Sequence, residues 1–90
     1  MLFMYIHTHT VEKCLVDKPQ ELAKITSQLQ EELKKAGVKV LGMYQAPHEH
    51  TGFLIFDASD IAALERALIP MTAWGNARLI PVISPMPPAK

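Results

Sequence analysis

Cysteine is almost missing from this sequence: Cys14 is the single one in 90 residues. One thiol closes no internal disulfide, so nothing covalent staples the fold, and a reducing cytoplasm is the expected setting. No Cys-x-x-Cys is present, which removes disulfide exchange from the possible roles. Neither charge sign is in surplus, with Lys and Arg numbering 9 against 9 for Asp and Glu. The basic residues gather no more densely than Lys34–Lys35. Phosphate backbones are bound by an excess of positive charge, so no nucleic-acid partner is expected. Long apolar runs are absent too. None approaches the roughly 18 residues of a membrane span, and the apolar first six residues lack the charged leader and length of a signal peptide. The 4 glycines (Gly37, Gly42, Gly52, Gly75) are isolated and build no phosphate-cradling loop. Ser27, Ser59 and Ser84 have no nucleophile-elbow context, so hydrolase and nucleotide-binding readings fall away. No internal repeat is visible. The 5 methionines (Met1, Met4, Met43, Met71, Met86) are too dispersed for a methionine-based copper carrier.

What is present supports a packed core. The chain is 49% hydrophobic and 20% charged, the balance of an ordinary folded domain rather than a disordered segment. Its length fits one domain over residues 1–84, followed by a proline-rich tail over 85–90. A domain this small buries only about two-thirds of its unfolded surface, so a partner subunit would add to its stability.

The apolar pattern gives the element order. Leu2 to Thr10 alternates as a strand, with Leu2, Met4, Ile6 and Thr8 on one face and Phe3, Tyr5, His7 and His9 on the other. Asp17, Pro19 and Gln20 read as a helix start, with Asp17 as cap. Leu22, Ile25, Leu29 and Leu33 recur at helical spacing until Gly37 ends the helix. Val38–Ala46 is a second strand, stopped by Pro47, and His50–Phe56 a third. Asp57 or Ser59 caps a second helix carrying Ile61, Leu64, Ala67 and Leu68, which Pro70 terminates. After a turn at Trp74–Gly75–Asn76, Arg78–Ser84 is a fourth strand, and Pro81 within it marks an edge or a bulge.

The order β-α-β-β-α-β is the α+β, ferredoxin-like arrangement: a four-stranded antiparallel sheet with two helices on one face. The other face is left open. With Phe3 and Tyr5 on one side of the first strand, an uncovered face would expose a sizeable apolar patch, and a homodimer or higher homo-oligomer is the expected remedy.

All 4 histidines fall in two His-x-His pairs, His7–Thr8–His9 and His48–Glu49–His50. Alternate residues of a strand point the same way, about 6.7 Å apart, which suits ligands converging on one ion. In the ferredoxin-like topology the first and third strands are the central antiparallel pair. The end of one therefore lies beside the start of the other, bringing His9 near His50, with His7 and His48 a step or two away. The expected metal ligands are His7, His9, His48 and His50, with Cys14 as a further candidate. Clustered imidazoles suit Zn, Cu, Fe or Ni. Glu49 points away in a strand, or orients an imidazole from a loop. Without metal, the same imidazoles are acid–base groups or a pH-sensitive interface; in the plainest reading they are solvated polar residues, and Cys14 a small buried one. Tyr5 and Tyr44 are candidate substrate-binding residues, or simply core aromatics, and Trp74 a packing anchor.

The segments Gly37–Tyr44, Ala46–Pro47, Gly52–Phe53, Ile61–Leu64 and Leu79–Val82 resemble the small stand-alone domains of the dimeric α+β-barrel superfamily. The resemblance is closest to uncharacterised GYD and muconolactone-isomerase-like proteins, and it spans most of Leu2 to Ser84. It implies a homodimer with sheets packed face to face and a cavity between sheet and helices. It also implies, as the alternative to a metal-binding protein, a metal-free monooxygenase- or isomerase-like enzyme acting on a small-molecule ligand. A non-catalytic accessory module is the third reading. No catalytic motif of those enzymes matches residue by residue, and the His7–His9 and Cys14 segment departs from the general pattern.

Overall fold

A computed structural model describes residues 1–15 and 17–85. The chain folds as β1 (Leu2–Thr8), α1 (Pro19–Lys35), β2 (Lys39–Ala46), β3 (Thr51–Asp57), α2 (Ile61–Leu68) and β4 (Asn76–Val82). Single 3₁₀ turns cover Val11–Lys13 and Pro47–Glu49, and a longer one Ile69–Trp74. The strands form one sheet in the order β2-β3-β1-β4, every neighbouring pair antiparallel. This is the expected ferredoxin-like α+β architecture. Of the proline-rich tail, only Pro85 lies within the described residues.

The alternation of β1 decides which face is buried. Phe3, Tyr5 and His7 turn toward the helices and are buried, while Leu2, Met4 and Ile6 lie on the other face. Phe3 pairs with Phe56 and Tyr5 with Leu54, so the same row continues into β3. Leu29 and Leu33 of α1 and Leu64, Ala67 and Leu68 of α2 close over it. Phe3, Phe56, Leu33 and Leu64 are the largest fully buried side chains, and full burial of each is worth about 1.5–3 kcal/mol relative to exposure. Phe3 and Tyr5 therefore belong to the covered face. The open face is apolar through Leu2, Met4, Ile6, Phe53, Ile55, Ile80 and Val82, all half-buried.

Helix ends follow local chemistry. Gly37, at φ +74°, ends α1 in the left-handed region that glycine enters without cost. The Gly37 amide donates to Lys34 and the Val38 amide to Leu33, and buried Val38 and Leu33 supply the apolar contact that accompanies such an ending. The start differs from expectation: Lys18, not Asp17, occupies the cap of α1, and no side chain bonds there, with Pro19 opening the helix. At α2 the cap is Asp60 rather than Asp57 or Ser59. Its carboxylate accepts from the Ala62 and Ala63 amides at 3.0 and 3.2 Å. Asp57 instead pairs with the amino group of Met1 at 3.0 Å.

β4 lies at a sheet edge, which tolerates Pro81 because a missing N–H costs no ladder bond on the outer side. It runs from Asn76 to Val82, two residues earlier than the apolar pattern indicates. Among the described residues, no helix is long and apolar enough to cross a membrane.

Candidate metal centre

β1 stops at Thr8, so His9 is the first residue past its end. Its amide donates to the His50 carbonyl at 3.0 Å, which carries the β1–β3 pairing one step beyond the ladder. The chain then enters the Val11–Lys13 turn, where the Lys13 amide donates to Thr10 and the Cys14 amide to Val11. The Lys13 ammonium donates to the Ala73 carbonyl at 2.8 Å, tying this turn to the one before β4. Gly75 closes the same end. A Cβ at that position would collide with the Thr8 carbonyl, so only glycine allows the approach.

His50 arrives from the hairpin between β2 and β3. Its amide donates to Pro47 at 3.2 Å, and its backbone sits at φ 50°, ψ 40°. Among the described residues it is the one non-glycine with positive φ. That left-handed conformation is uncommon for a residue with a Cβ, and it occurs at functional sites where the surroundings hold it in place. Here it turns the chain from the Pro47–Glu49 turn directly into β3.

The result is a group of three donors. One atom each from His9, Cys14 and His50 lies within 4.8 Å of the others, and all three residues are half-buried. The His9 and His50 rings meet edge-on with centroids 5.4 Å apart. His9 Nε2 and His50 Nδ1 are buried with no hydrogen-bond partner among the described residues. A buried polar atom left unsatisfied costs about 1–3 kcal/mol, so two on the histidines of one donor group are an anomaly that a bound ion would remove. A tetrahedral zinc with ordinary bond lengths sets its N and S donors about 3.3–3.6 Å apart. Small side-chain rotations bring donors at the outer limit of this group to that spacing. Burial holds the His9 pKa below its ordinary value, and the neighbouring His50 and His7 push it the same way. The imidazole thus stays neutral, the form that binds metal.

Of the two His-x-His pairs, the structure brings one histidine from each into the three-donor group. His7 is buried, its Nε2–H donates to the Met71 carbonyl at 3.0 Å, and its ring lies 6.2 Å from those of Tyr5 and His9. His48 is exposed in the Pro47–Glu49 turn, as is Glu49. Neither His7 nor His48 joins the three-donor group, whereas Cys14 does. Tyr5 is a core residue at 3% exposure, its hydroxyl without a partner among the described residues and its pKa pushed up by burial. Tyr44 is 63% exposed on the edge strand β2 and contributes to a cavity wall.

A cavity of about 120 Å³ adjoins the donors, with His9 and Cys14 in its wall. Ile25 and Leu29 of α1, Met43 and Leu54 of the sheet, and Met71 and Trp74 enclose it. Gly52, opposite His7 in the β1–β3 register, lies in the same wall. Nothing in the apolar or histidine pattern marks Gly52, Met71 or Trp74 as site residues. A glycine inside a strand is the available signal, since it marks close approach of a ligand or another chain segment.

No curated protein matches the chain significantly. Residues 1–87, nearly its whole length, match the family described as a domain of unknown function, DUF3303, and the chain belongs to that family.

Proposed function

We propose that this chain is a small transition-metal-binding protein whose ion is held by His9, Cys14 and His50. The observation that carries the reading is the convergence of three donors, two of them histidines that each keep a buried nitrogen without a hydrogen-bond partner among the described residues. Two imidazoles and one thiolate form a borderline-soft set. Of Zn, Cu, Fe and Ni, this set favours zinc or copper. Three protein ligands leave a position for water or substrate, as in catalytic rather than closed structural zinc sites. An ion there would supply Lewis-acid chemistry. A ligating thiol must stay reduced, which fits the cytoplasm.

The adjoining apolar cavity favours a second reading: a metal-free binder or enzyme of the dimeric α+β-barrel kind, similar to GYD or muconolactone-isomerase-like proteins. The resemblance and the apolar open face also support a homodimer in which a second copy covers Met4, Ile6, Phe53 and Ile55.

Elemental analysis of untagged protein purified without chelator tests the leading reading. Near-stoichiometric metal per subunit is expected. Metal far below one per subunit after adding Zn, Cu, Fe and Ni refutes it, and ligand binding retained in metal-free protein then favours the second reading.

A further inference from the structure

The geometry points to a specific ligand class for the cavity beside the donors: a compact apolar body ending in a single oxygen anion, a small carboxylate or phenolate. This inference rests on the metal reading and adds to it what the ion's open position faces.

Shape comes first. Gly52 belongs to the helix-facing row of β3, two and four residues from buried Leu54 and Phe56. A side chain at that position would point over the sheet toward α1. Yet among the described residues a Cβ there would meet nothing closer than the Tyr44 carbonyl oxygen at 4.0 Å, and the φ angle of Gly52 lies outside the left-handed region. Neither backbone conformation nor crowding requires glycine here. Its missing side chain leaves the cavity open against Leu22, Ile25 and Leu29. A cavity of about 120 Å³ is somewhat smaller than the engineered apolar one of about 150 Å³ that takes benzene. The apolar body it encloses is therefore of about six non-hydrogen atoms at most, with the anionic head beyond it toward the donors.

Charge sets the other end. The polar part of the wall includes His7, His9, Lys13 and Cys14, and no carboxylate of a described residue lines the cavity. A divalent ion outweighs one thiolate, and Lys13, also in the wall, adds a cation whose ammonium donates to the Ala73 carbonyl. That end attracts an anion, while the Leu22, Ile25, Leu29 and Leu54 end excludes one.

Protein loaded with cobalt(II) as a spectroscopic probe decides the matter. Metal content is measured first, and absence of metal overturns both this inference and the reading beneath it. With metal bound, benzoate, isovalerate and phenol are titrated against the cobalt absorption, with acetate (head without body) and benzene (body without head) as controls. Expected is a spectral shift with benzoate, isovalerate or phenol at concentrations at least tenfold below those acetate requires, and none with benzene. Gly52→Leu should abolish the shift and Gly52→Ala weaken it, both keeping one metal per subunit, which also reports that they fold. No shift with any of the three probes, acetate binding equally well, or unchanged probe binding in metal-loaded Gly52→Leu would each overturn the ligand assignment while leaving the metal site standing.

Discussion

The main-chain amide of His9 donates to the carbonyl of His50 at 3.0 Å, and their imidazoles meet edge-on at 5.4 Å. One hydrogen bond thus joins residues 41 positions apart in the chain and sets their side chains beside Cys14. The backbone, not the imidazoles, fixes this approach, so the two nitrogens remain available to a ligand.

His9→Ala, Cys14→Ala and His50→Ala should each weaken metal binding by more than the roughly 10–100-fold loss typical of an outer partner. His48→Ala should leave it unchanged. Competitive titration with a chromogenic chelator measures this. Metal loss in the His48 variant, or retention in the other three, contradicts the assignment.

His7 is expected to act on the fold rather than on the ion. His7→Phe keeps the buried ring but removes the donor to the Met71 carbonyl, at a cost of about 1–2 kcal/mol. Urea denaturation of the metal-free protein should show that loss, with metal stoichiometry preserved in a parallel assay.

Gly75→Ala places a methyl against the Thr8 carbonyl and the His9 backbone. The turn before β4 or the end of β1 must move, costing about 2 kcal/mol or more. Because His9 follows directly, metal affinity should fall together with the denaturation midpoint. A variant as stable as the parent would show that this approach is not tight.

Acid should destabilise the metal-free protein through His9. Its folded pKa lies below the ordinary value, chiefly from burial, then from His50 and His7. Between the folded and unfolded pKa values the unfolded chain binds more protons. Stability is therefore full above the unfolded value of about 6.5 and is lost as pH falls from there through the folded one. Urea midpoints measured from pH 8 to pH 5 should decline accordingly, and His9→Gln should flatten the decline. An equal slope in both proteins counts against this origin.

Ile6 lies on the open face, opposite Phe53 and Arg78 in the sheet register. If a second copy covers that face, Ile6→Lys should convert the dimer to monomer in sedimentation velocity without loss of secondary structure. A parent protein that already sediments as a monomer dismisses the dimer.

Much of this was readable before the tertiary structure. The alternation of Phe3, Tyr5 and His7 and the helical spacing of Leu22, Ile25, Leu29 and Leu33 are local consequences of period 2 and period 3.6, and they fix element order. The antiparallel central pair then places His9 by His50. Caps were less legible: Asp17, Asp57 and Asp60 all have the right chemistry, and only the backbone at each helix start selects Asp60.

A ferredoxin-like α+β domain with histidines gathered at one end of its central strands follows from the residue pattern alone, because apolar periodicity and topology leave few alternatives. The same pattern makes His7 and His9 look equivalent, since strand parity puts both on one face. Only the tertiary structure separates them. β1 ends at Thr8, the Met71 carbonyl accepts from His7, and the Val11–Lys13 turn carries Cys14 back beside His9 and His50. Those choices depend on contacts between segments far apart in the chain, here Lys13 on Ala73 and Gly75 against Thr8. No local pattern encodes them.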